Sequence, residues 1–323
     1  MSFGIADWKI LDTPLAIVDT ETTGLYPGGD RVVEVAVVRM DPGAKPFLVL
    51  DTLLNPERPV SATEIHGITD EDVADAPTFS DIAGHFTAAL KGCVFASYNV
   101  YFDAKFVQIE LRQAGIRQFP PYVCLMYMRP MLGIGRKCSL ADACQHHEIP
   151  RTNAHQAAAD ALASADLWLR YADALNNAGI VTFRQLARLK DYKFTNSFID
   201  EPLGEDCGAR IRANVRLKPR MAAPRDARLD RQPIVSEYWD ALTAALADLQ
   251  VTSDEVQYLR SKQAILALTP EELRWLHARA FAGILADACQ DKAITEGEAS
   301  TLNTVHAALQ ALGWAPGSAA AML

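Results

Sequence analysis

Two carboxylates stand at the end of a short apolar run near the start of the chain. The run extends from Leu15 to Val18, and Asp19 and Glu21 follow it. Apolar, β-branched residues predict a buried strand, on which side chains two positions apart share one face. Two like charges about 4 Å apart repel by roughly 4 kcal/mol at an effective dielectric of about 20, so a cation should lie beside them. Oxygen ligands without thiolates or imidazoles suit Mg²⁺ or Mn²⁺.

A second and a third group of polar residues follow along the chain. Asp103 begins a predicted helix after the apolar run 93–98, and His155 begins a long alanine-rich helix in which Asp160 comes five residues later. Taken alone, the first pair of acids is equally compatible with a solvated strand end. All three groups stand at the end of a strand or the start of a helix, and together they favour a shared site.

The order and wording of these motifs resemble the DnaQ-like exonucleases, in the histidine-containing branch of the DEDD group. The matching stretches are D-T-E-T-T-G at 19–24, I-H-G-I-T at 65–69, A-P-T-F at 76–79, Asn99 to Asp103, and His155 to Asp160. The resemblance covers about residues 15–175, roughly half of the chain. It implies a ribonuclease H-like fold and 3′ to 5′ hydrolysis of the phosphodiester bonds of DNA, with release of nucleoside 5′-monophosphates.

The resemblance also implies a role for each acid and for His155. Two divalent ions, Mg²⁺ or Mn²⁺, would serve the hydrolysis. Asp19, Glu21 and Asp160 would bind the first ion, and Asp19 would bridge to a second ion that Asp103 contacts directly or through water. His155 would be the general base, since an unperturbed imidazole titrates near pH 6.5.

Further residues are expected to contact the substrate. They are Thr22, Thr23, Leu25, His66, Asn99 and Phe102. The resemblance implies that both threonines contact the terminal nucleotide, that Leu25 packs on its base, and that His66 contacts its sugar and phosphate. The alternative for His66 is a structural role at a helix C-terminus. Phe102 either stacks on a base or belongs to the core. Asn99 is predicted to fix the strand-to-helix turn through its amide.

The predicted elements agree with this fold. Three apolar runs joined by Gly/Pro turns over residues 15–54 predict an antiparallel meander. Strands and helices then alternate, with a short helix at 62–67, strands at 94–98 and near 122, and helices at 78–90, 102–114, 139–148, 155–175 and 178–190. The sum is an α/β fold in which helices flank a mixed sheet.

At 323 residues the chain is long enough for two domains. We predict a DnaQ-like exonuclease domain at 1–180, a linker with a basic arm at 181–234, and an all-α accessory domain at 235–323. The segment Arg210 to Arg231 is either a solvated connector or a segment that follows a polyanion. Three capping boxes, beginning at Thr252, Thr269 and Thr295, predict helix starts in the last part, which faintly resembles the TerB-like helical domains.

Charge and hydropathy limit the class of partner. The formal net charge of −9 means that a nucleic acid with a free 3′ end must meet a local basic patch or bound metal ions. Residues 263–268 loosely resemble a sliding-clamp peptide, which would imply contact with a polymerase or clamp. Their helical spacing favours packing instead. No run is long enough to cross a bilayer, no leader opens the chain, and no C-x-x-C occurs, so we expect a cytoplasmic protein.

Two other functions remain compatible with these residues. The first keeps the chemistry but changes the substrate to short RNA, as in relatives that resemble oligoribonuclease or ribonuclease T. The second is a non-catalytic, nucleic-acid-binding polymerase-accessory module that uses the exonuclease shell. The presence of all four acids and the histidine disfavours the non-catalytic module, because a site that has lost its catalytic role tends to lose its ligands.

Overall fold

A five-stranded mixed sheet lies at the centre of the first half of the chain. The computed structural model describes residues 4–151, 155–204, 215–220 and 231–317. The strands are β1 (Leu15–Thr22), β2 (Val32–Met40), β3 (Phe47–Leu53), β4 (Val94–Ser97) and β5 (Tyr122–Cys124), in the order β3-β2-β1-β4-β5. β1, β2 and β3 form the predicted antiparallel meander, and β4 and β5 continue the sheet parallel to β1. The predicted ribonuclease H-like sheet is thus confirmed.

Helices flank this sheet. The helices up to residue 189 are α1 (Thr63–His66), α2 (Asp70–Val73), α3 (Phe79–Leu90), α4 (Val100–Gln113), α5 (Leu125–Met131), α6 (Leu140–His146), α7 (Ala157–Asn177) and α8 (Phe183–Leu189). α7 packs along β1 and β2, and its inner face buries small and large apolar side chains such as Ala161 and Trp168. Burial of this apolar face, more than helix propensity, stabilises a helix in a folded protein.

Two predicted helix boundaries are wrong. α7 begins at Ala157, so His155 precedes the helix instead of starting it. The predicted helix at 178–190 begins only at Phe183, because α7 continues to Asn177 and Gly179 then takes a left-handed conformation that a helix cannot continue. Thr182 caps the new helix, with its hydroxyl accepting from the Gln185 backbone N–H.

The predicted linker contains ordered elements. α8 and a 3₁₀ helix, Lys193–Ile199, pack near one another, and the 3₁₀ helix lies beside β5. Residues 215–220 lie along β3, where the backbone N–H of Leu53 donates to the Lys218 carbonyl at 2.8 Å. Most of the predicted basic arm, at 210–214 and 221–230, lies outside the described residues, so its function stays a prediction.

The described residues 231–317 form four helices. They are α9 (Gln232–Leu246), α10 (Ser253–Leu266), α11 (Pro270–Ala288) and α12 (Glu296–Ala311). All three predicted capping boxes are present. The packing interpretation of residues 263–268 is wrong at Ile265, which is 77% exposed because α10 packs through a face that carries Tyr258 and Leu259. No helix in the described ranges is long and apolar enough to span a membrane.

Candidate active site

A pocket at the end of β1 brings most of the predicted site residues together. Those that line it are Asp19, Glu21, Thr22, Leu25, His66, Asn99, Phe102, Asp103, His155 and Asp160. The helices of the second half contribute Trp239, Asp240, Thr243, Ala244 and Arg279 to the same pocket. Thr23 is the predicted contact that does not line it. Sheet topology explains the convergence, because parallel β1 and β4 end at the same edge and α4 begins directly after β4.

Asp19 and Glu21 lie on one face of β1, as the alternation of strand side chains requires. Burial raises the pKa of Asp19 well above its ordinary value, and the nearby carboxylates of Asp103, Asp160 and Glu21 raise it further. Burial and the carboxylate of Glu34 likewise raise the pKa of Glu21. These shifts mean that the side chains of the pocket do not neutralise its negative charge, which is a condition that favours a bound cation.

Asp103 is fixed in place by two hydroxyl groups. Thr20 Oγ donates to its Oδ1 and Ser97 Oγ to its Oδ2, both at 2.7 Å. Burial raises the pKa of Asp103 to about 6, although these hydrogen bonds oppose the shift. Asn99 occupies the N-cap position of α4, but its side chain makes no capping hydrogen bond and its buried Oδ1 has no partner among the described residues. The predicted capping role of the Asn99 amide is therefore wrong.

Asp160 contacts Arg151 and the backbone of His155. Arg151 Nε and Nη2 donate to the two carboxylate oxygens at 2.8 Å each, and the His155 N–H donates to Oδ2 at 2.9 Å. A carboxylate offers about four lone-pair positions, so about one remains for another ligand. One ligand atom each from Glu21, His155 and Asp160 lies within 4.8 Å of the others.

His155 adopts a left-handed backbone conformation with a φ of 62°. Such a conformation costs of order 1–3 kcal/mol for a residue other than glycine. The N–H of His155 donates to Asp160, and its carbonyl accepts from Arg220 Nη1 at 2.7 Å. The ring Nε2 lies 3.9 Å from Oδ2 of Asp240 on α9. Charged groups on both sides of the backbone thus hold the histidine at the pocket.

Sequence reasoning missed five charged residues at this site. They are Glu34, Arg151, Arg220, Asp240 and Arg279. Glu34 lies directly opposite Glu21 in the β1–β2 register, and burial raises its pKa to about 7. Its Oε2 accepts from Arg220 Nη1 at 3.2 Å. A glutamate inside the valine-rich run 32–38 was the available signal, since such strands rarely carry an unpaired charge.

Three predicted substrate contacts have structural partners. Both ring nitrogens of His66 face the backbone, with Nδ1 accepting from the Ile68 N–H at 3.0 Å and Nε2 lying 3.2 Å from the Ser61 carbonyl. Burial lowers the pKa of His66 to about 3, so the ring is neutral and Nε2–H donates to Ser61. A structural role for His66 at the C-terminus of α1, the alternative given by the sequence, accounts for these contacts. The hydroxyls of Thr22 and Thr23 donate within their own loop, to the Gly24 carbonyl and to Asp30 Oδ1, and their contact with the terminal nucleotide stays a prediction.

Phe102 packs beside the core and also faces the pocket, and its stacking on a base stays a prediction. Its ring lies 4.9 Å from that of Phe106 in a tilted arrangement, and its side chain also lines the pocket. Leu25 lines the pocket as expected and packs against Gly283 of α11. The sequence predicted the location of these side chains, but it did not predict the helix packed against Leu25.

Comparison with known proteins identifies the first half of the chain. Residues 16–168 match the RNase T family model, which is described as an exonuclease. A DNA polymerase III subunit epsilon-like protein of Rhodobacter capsulatus is 34% identical over 186 residues, which cover 54% of this chain and 26% of that protein. The DNA polymerase III subunit epsilon of Pasteurella multocida is 28% identical over 166 residues, which cover 47% of this chain and 66% of that protein. The chain thus spans about a quarter of the first relative.

Other similar proteins carry an exonuclease name. The 3′-5′ exonuclease DinG of Staphylococcus epidermidis is 26% identical over 187 residues, which cover 55% of this chain and 20% of that protein. A crystal structure of E. coli exonuclease I with a dT13 oligonucleotide matches with a TM-score of 0.44 and 17% identity, over 52% of this chain and 42% of that one. From the family match and these relatives, we conclude that residues 16–168 form an exonuclease domain of the RNase T family.

Proposed function

We propose that this protein is a metal-dependent 3′-5′ exonuclease that acts on single-stranded or frayed 3′ ends of DNA. It would hydrolyse phosphodiester bonds and release nucleoside 5′-monophosphates. One observation carries the proposal, which is the convergence of four acids and His155 in a single pocket of an exonuclease-family domain. The relatives' names include polymerase subunits and an exonuclease, and DNA is the substrate that they suggest.

The donor set fits hard divalent ions. The pocket acids offer oxygen ligands, which suit Mg²⁺ and Mn²⁺. The raised pKa values of Asp19 and Glu21 indicate negative charge that a cation would compensate. We assign Asp19, Glu21 and Asp160 to one ion, and Asp19 with Asp103 to a second. Bound ions would supply the positive charge that hydrolysis requires at the scissile phosphate.

The side chains around the ions have distinct tasks. His155 accepts the proton of the attacking water, because its ring lies at the acid cluster and an imidazole nitrogen can act as a general base. Asp240, 3.9 Å from Nε2, stabilises the charge that the ring then carries. Thr20 and Ser97 keep the Asp103 carboxylate in one orientation. Phe102 and Leu25 offer apolar surface to the terminal base.

The test is hydrolysis of end-labelled strands by the purified protein with Mg²⁺ or Mn²⁺. A 5′-labelled single-stranded DNA should give a ladder that shortens from the 3′ end, with nucleoside 5′-monophosphates as product. Duplex DNA with paired ends should be degraded more slowly, and faster degradation of short RNA would support the alternative substrate. Asp160→Ala should abolish the ladder, whereas Asp166→Ala, an exposed position on α7, should not. A wild-type protein that degrades no strand would refute the proposal.

A further inference from the structure

We propose that Arg279 of α11 binds a backbone phosphate of the strand that enters the candidate active site. The helical part of the chain would then form one wall of the substrate site. This inference rests on the proposed function, because it takes the ligand to be a nucleic-acid strand.

One face of α11 lies on the loop that follows β1. Residues 279, 283 and 287 are four apart and so share that face. Arg279 Nη2 donates to the Thr23 carbonyl at 2.7 Å. A Cβ at position 283 would lie 2.7 Å from the Leu25 Cβ, so only glycine permits this approach. Asp287 Oδ2 lies 3.6 Å from Lys105 Nζ of α4. These contacts place the Arg279 side chain at the pocket.

Arg279 has donors that the described residues do not use. No carboxylate of the described residues lies within 4.0 Å of its guanidinium nitrogens, although two arginine neighbours of the acid cluster, Arg151 and Arg220, both have one. The Nε of Arg279 is buried and has no hydrogen-bond partner in the described ranges. A guanidinium has five N–H donors, and a buried charge is normally paired. Arg279 therefore has no anionic partner among the described residues, at a place where proteins normally supply one.

A phosphate group has the chemistry that this position requires. It carries negative charge, and its oxygens can accept two parallel hydrogen bonds from one guanidinium. Burial lowers the pKa of Arg279, and the more distant carboxylates of Asp30 and Glu64 only partly oppose the shift. An anion beside the side chain would stabilise the charged guanidinium and so raise its pKa again. Because the contact would be to the backbone, it would contribute affinity without base preference.

The experiment compares variants of Arg279 with a matched arginine on the same helix. Fluorescein-labelled dT12 is titrated in the presence of Ca²⁺ with the full chain carrying Arg279→Gln, Arg279→Ala or Arg274→Gln, and binding is read by anisotropy. Arg274 is exposed on α11, so its variant makes the same charge change away from the pocket. We expect Arg279→Gln to weaken binding by about tenfold, the effect of one charge-assisted hydrogen bond. The slope of log Kd against log salt should fall by about 0.7, the value for one phosphate of a single strand.

The glutamine variant separates phosphate binding from the contact to Thr23. Glutamine retains a donor for the Thr23 carbonyl but loses the charge. If Arg279→Gln binds dT12 as tightly as wild type while Arg279→Ala does not, the arginine serves only the loop and the inference is overturned. Arg279→Lys retains the charge and should restore the wild-type salt slope. Matching circular dichroism spectra of all variants would establish that they are folded.

The two proposals fail in different ways. If the wild type hydrolyses DNA but the Arg279→Gln variant has wild-type affinity and salt slope, this inference is wrong and the proposed function stands. If the wild type binds dT12 but hydrolyses no strand with Mg²⁺ or Mn²⁺, the proposed function is wrong, and the binding comparison still tests Arg279. A wild type that does not bind dT12 overturns the inference.

Discussion

His155 illustrates how much of this site depends on single residues. Its left-handed backbone is held by a hydrogen bond to Asp160 on one side and by a hydrogen bond from Arg220 on the other. The resemblance to the DnaQ-like exonucleases implied the roles of the histidine and Asp160. The sequence did not predict Arg220, because no local pattern relates two residues that are 65 positions apart.

We predict that His155→Ala lowers the single-turnover rate by about 10²–10⁴-fold, the usual contribution of a general base. Mn²⁺ affinity, measured by calorimetry on the same preparations, should change much less, because the acids remain. His146→Ala is the control, since His146 is exposed at the end of α6. A His155→Ala variant as fast as wild type would rule out the base role.

Glu34 should make the stability of the metal-free protein depend on pH. Its folded-state pKa of about 7 lies above its ordinary value of 4.5, because burial disfavours the charged form. The folded state therefore binds more protons than the unfolded state between these values, and the free energy of unfolding falls as the pH rises through this window. Above pH 7 the destabilisation caused by the buried, charged Glu34 side chain is fully present.

We predict that Glu34→Gln removes this destabilisation. We compare the free energy of unfolding of the variant with that of wild type, both in EDTA. The difference in favour of the variant should be up to about 3 kcal/mol larger at pH 8 than at pH 4, since one pKa unit corresponds to about 1.4 kcal/mol. Glutamine keeps an acceptor for Arg220. Urea unfolding at the two pH values provides the measurement, with Glu71→Gln at an exposed position of α2 as control. An equal pH dependence in wild type and Glu34→Gln would contradict the assignment.

At the scale of elements, an ion pair joins α4 to the start of β2. Arg31 Nε and Nη2 donate to the two oxygens of Glu110 at 2.7 and 2.9 Å, and the Glu110 side chain is only 3% exposed. α4 carries Asp103, so this contact helps to fix one acid relative to the strand that carries Glu34. The exposed Glu57 pairs with the same arginine at 3.7 Å.

We predict that Glu110→Ala lowers the free energy of unfolding by about 2–3 kcal/mol, because it removes charge-assisted hydrogen bonds and leaves Arg31 without its buried partner. Glu57→Ala should cost less than about 1 kcal/mol, as is usual for exposed pairs. Both values come from urea unfolding at pH 7. Equal losses in the two variants would show that burial does not distinguish the pairs.

Elements governed by local rules could be predicted from the sequence. A continuous apolar, β-branched run identified β1, and capping boxes at Thr252, Thr269 and Thr295 located the starts of α10, α11 and α12. The register between β1 and β2 could not be predicted, because it depends on how two valine-rich surfaces pack. Since this register sets Glu34 opposite Glu21, this acidic neighbour of the pair was missed.

At the scale of the whole molecule, the helices after residue 231 complete the pocket. Asp240 of α9 approaches His155, and Arg279 of α11 donates to the Thr23 carbonyl. Lys262 of α10 bridges Asp142 on α6 and Glu237 on α9 at 2.6 Å each. The sequence predicted these helices but not their place at the site, because tertiary contacts between residues distant in the chain leave no local signal.

Mn²⁺ titration by calorimetry tests most directly whether the pocket acids bind divalent ions for hydrolysis. Asp19 is the acid assigned to both ions, and the exposed Asp12 provides a matched control. We predict that the wild type and Asp12→Asn bind up to two Mn²⁺ ions per chain and that Asp19→Asn loses this binding. Equal Mn²⁺ binding by Asp19→Asn and wild type, or no binding by the wild type, would contradict the account.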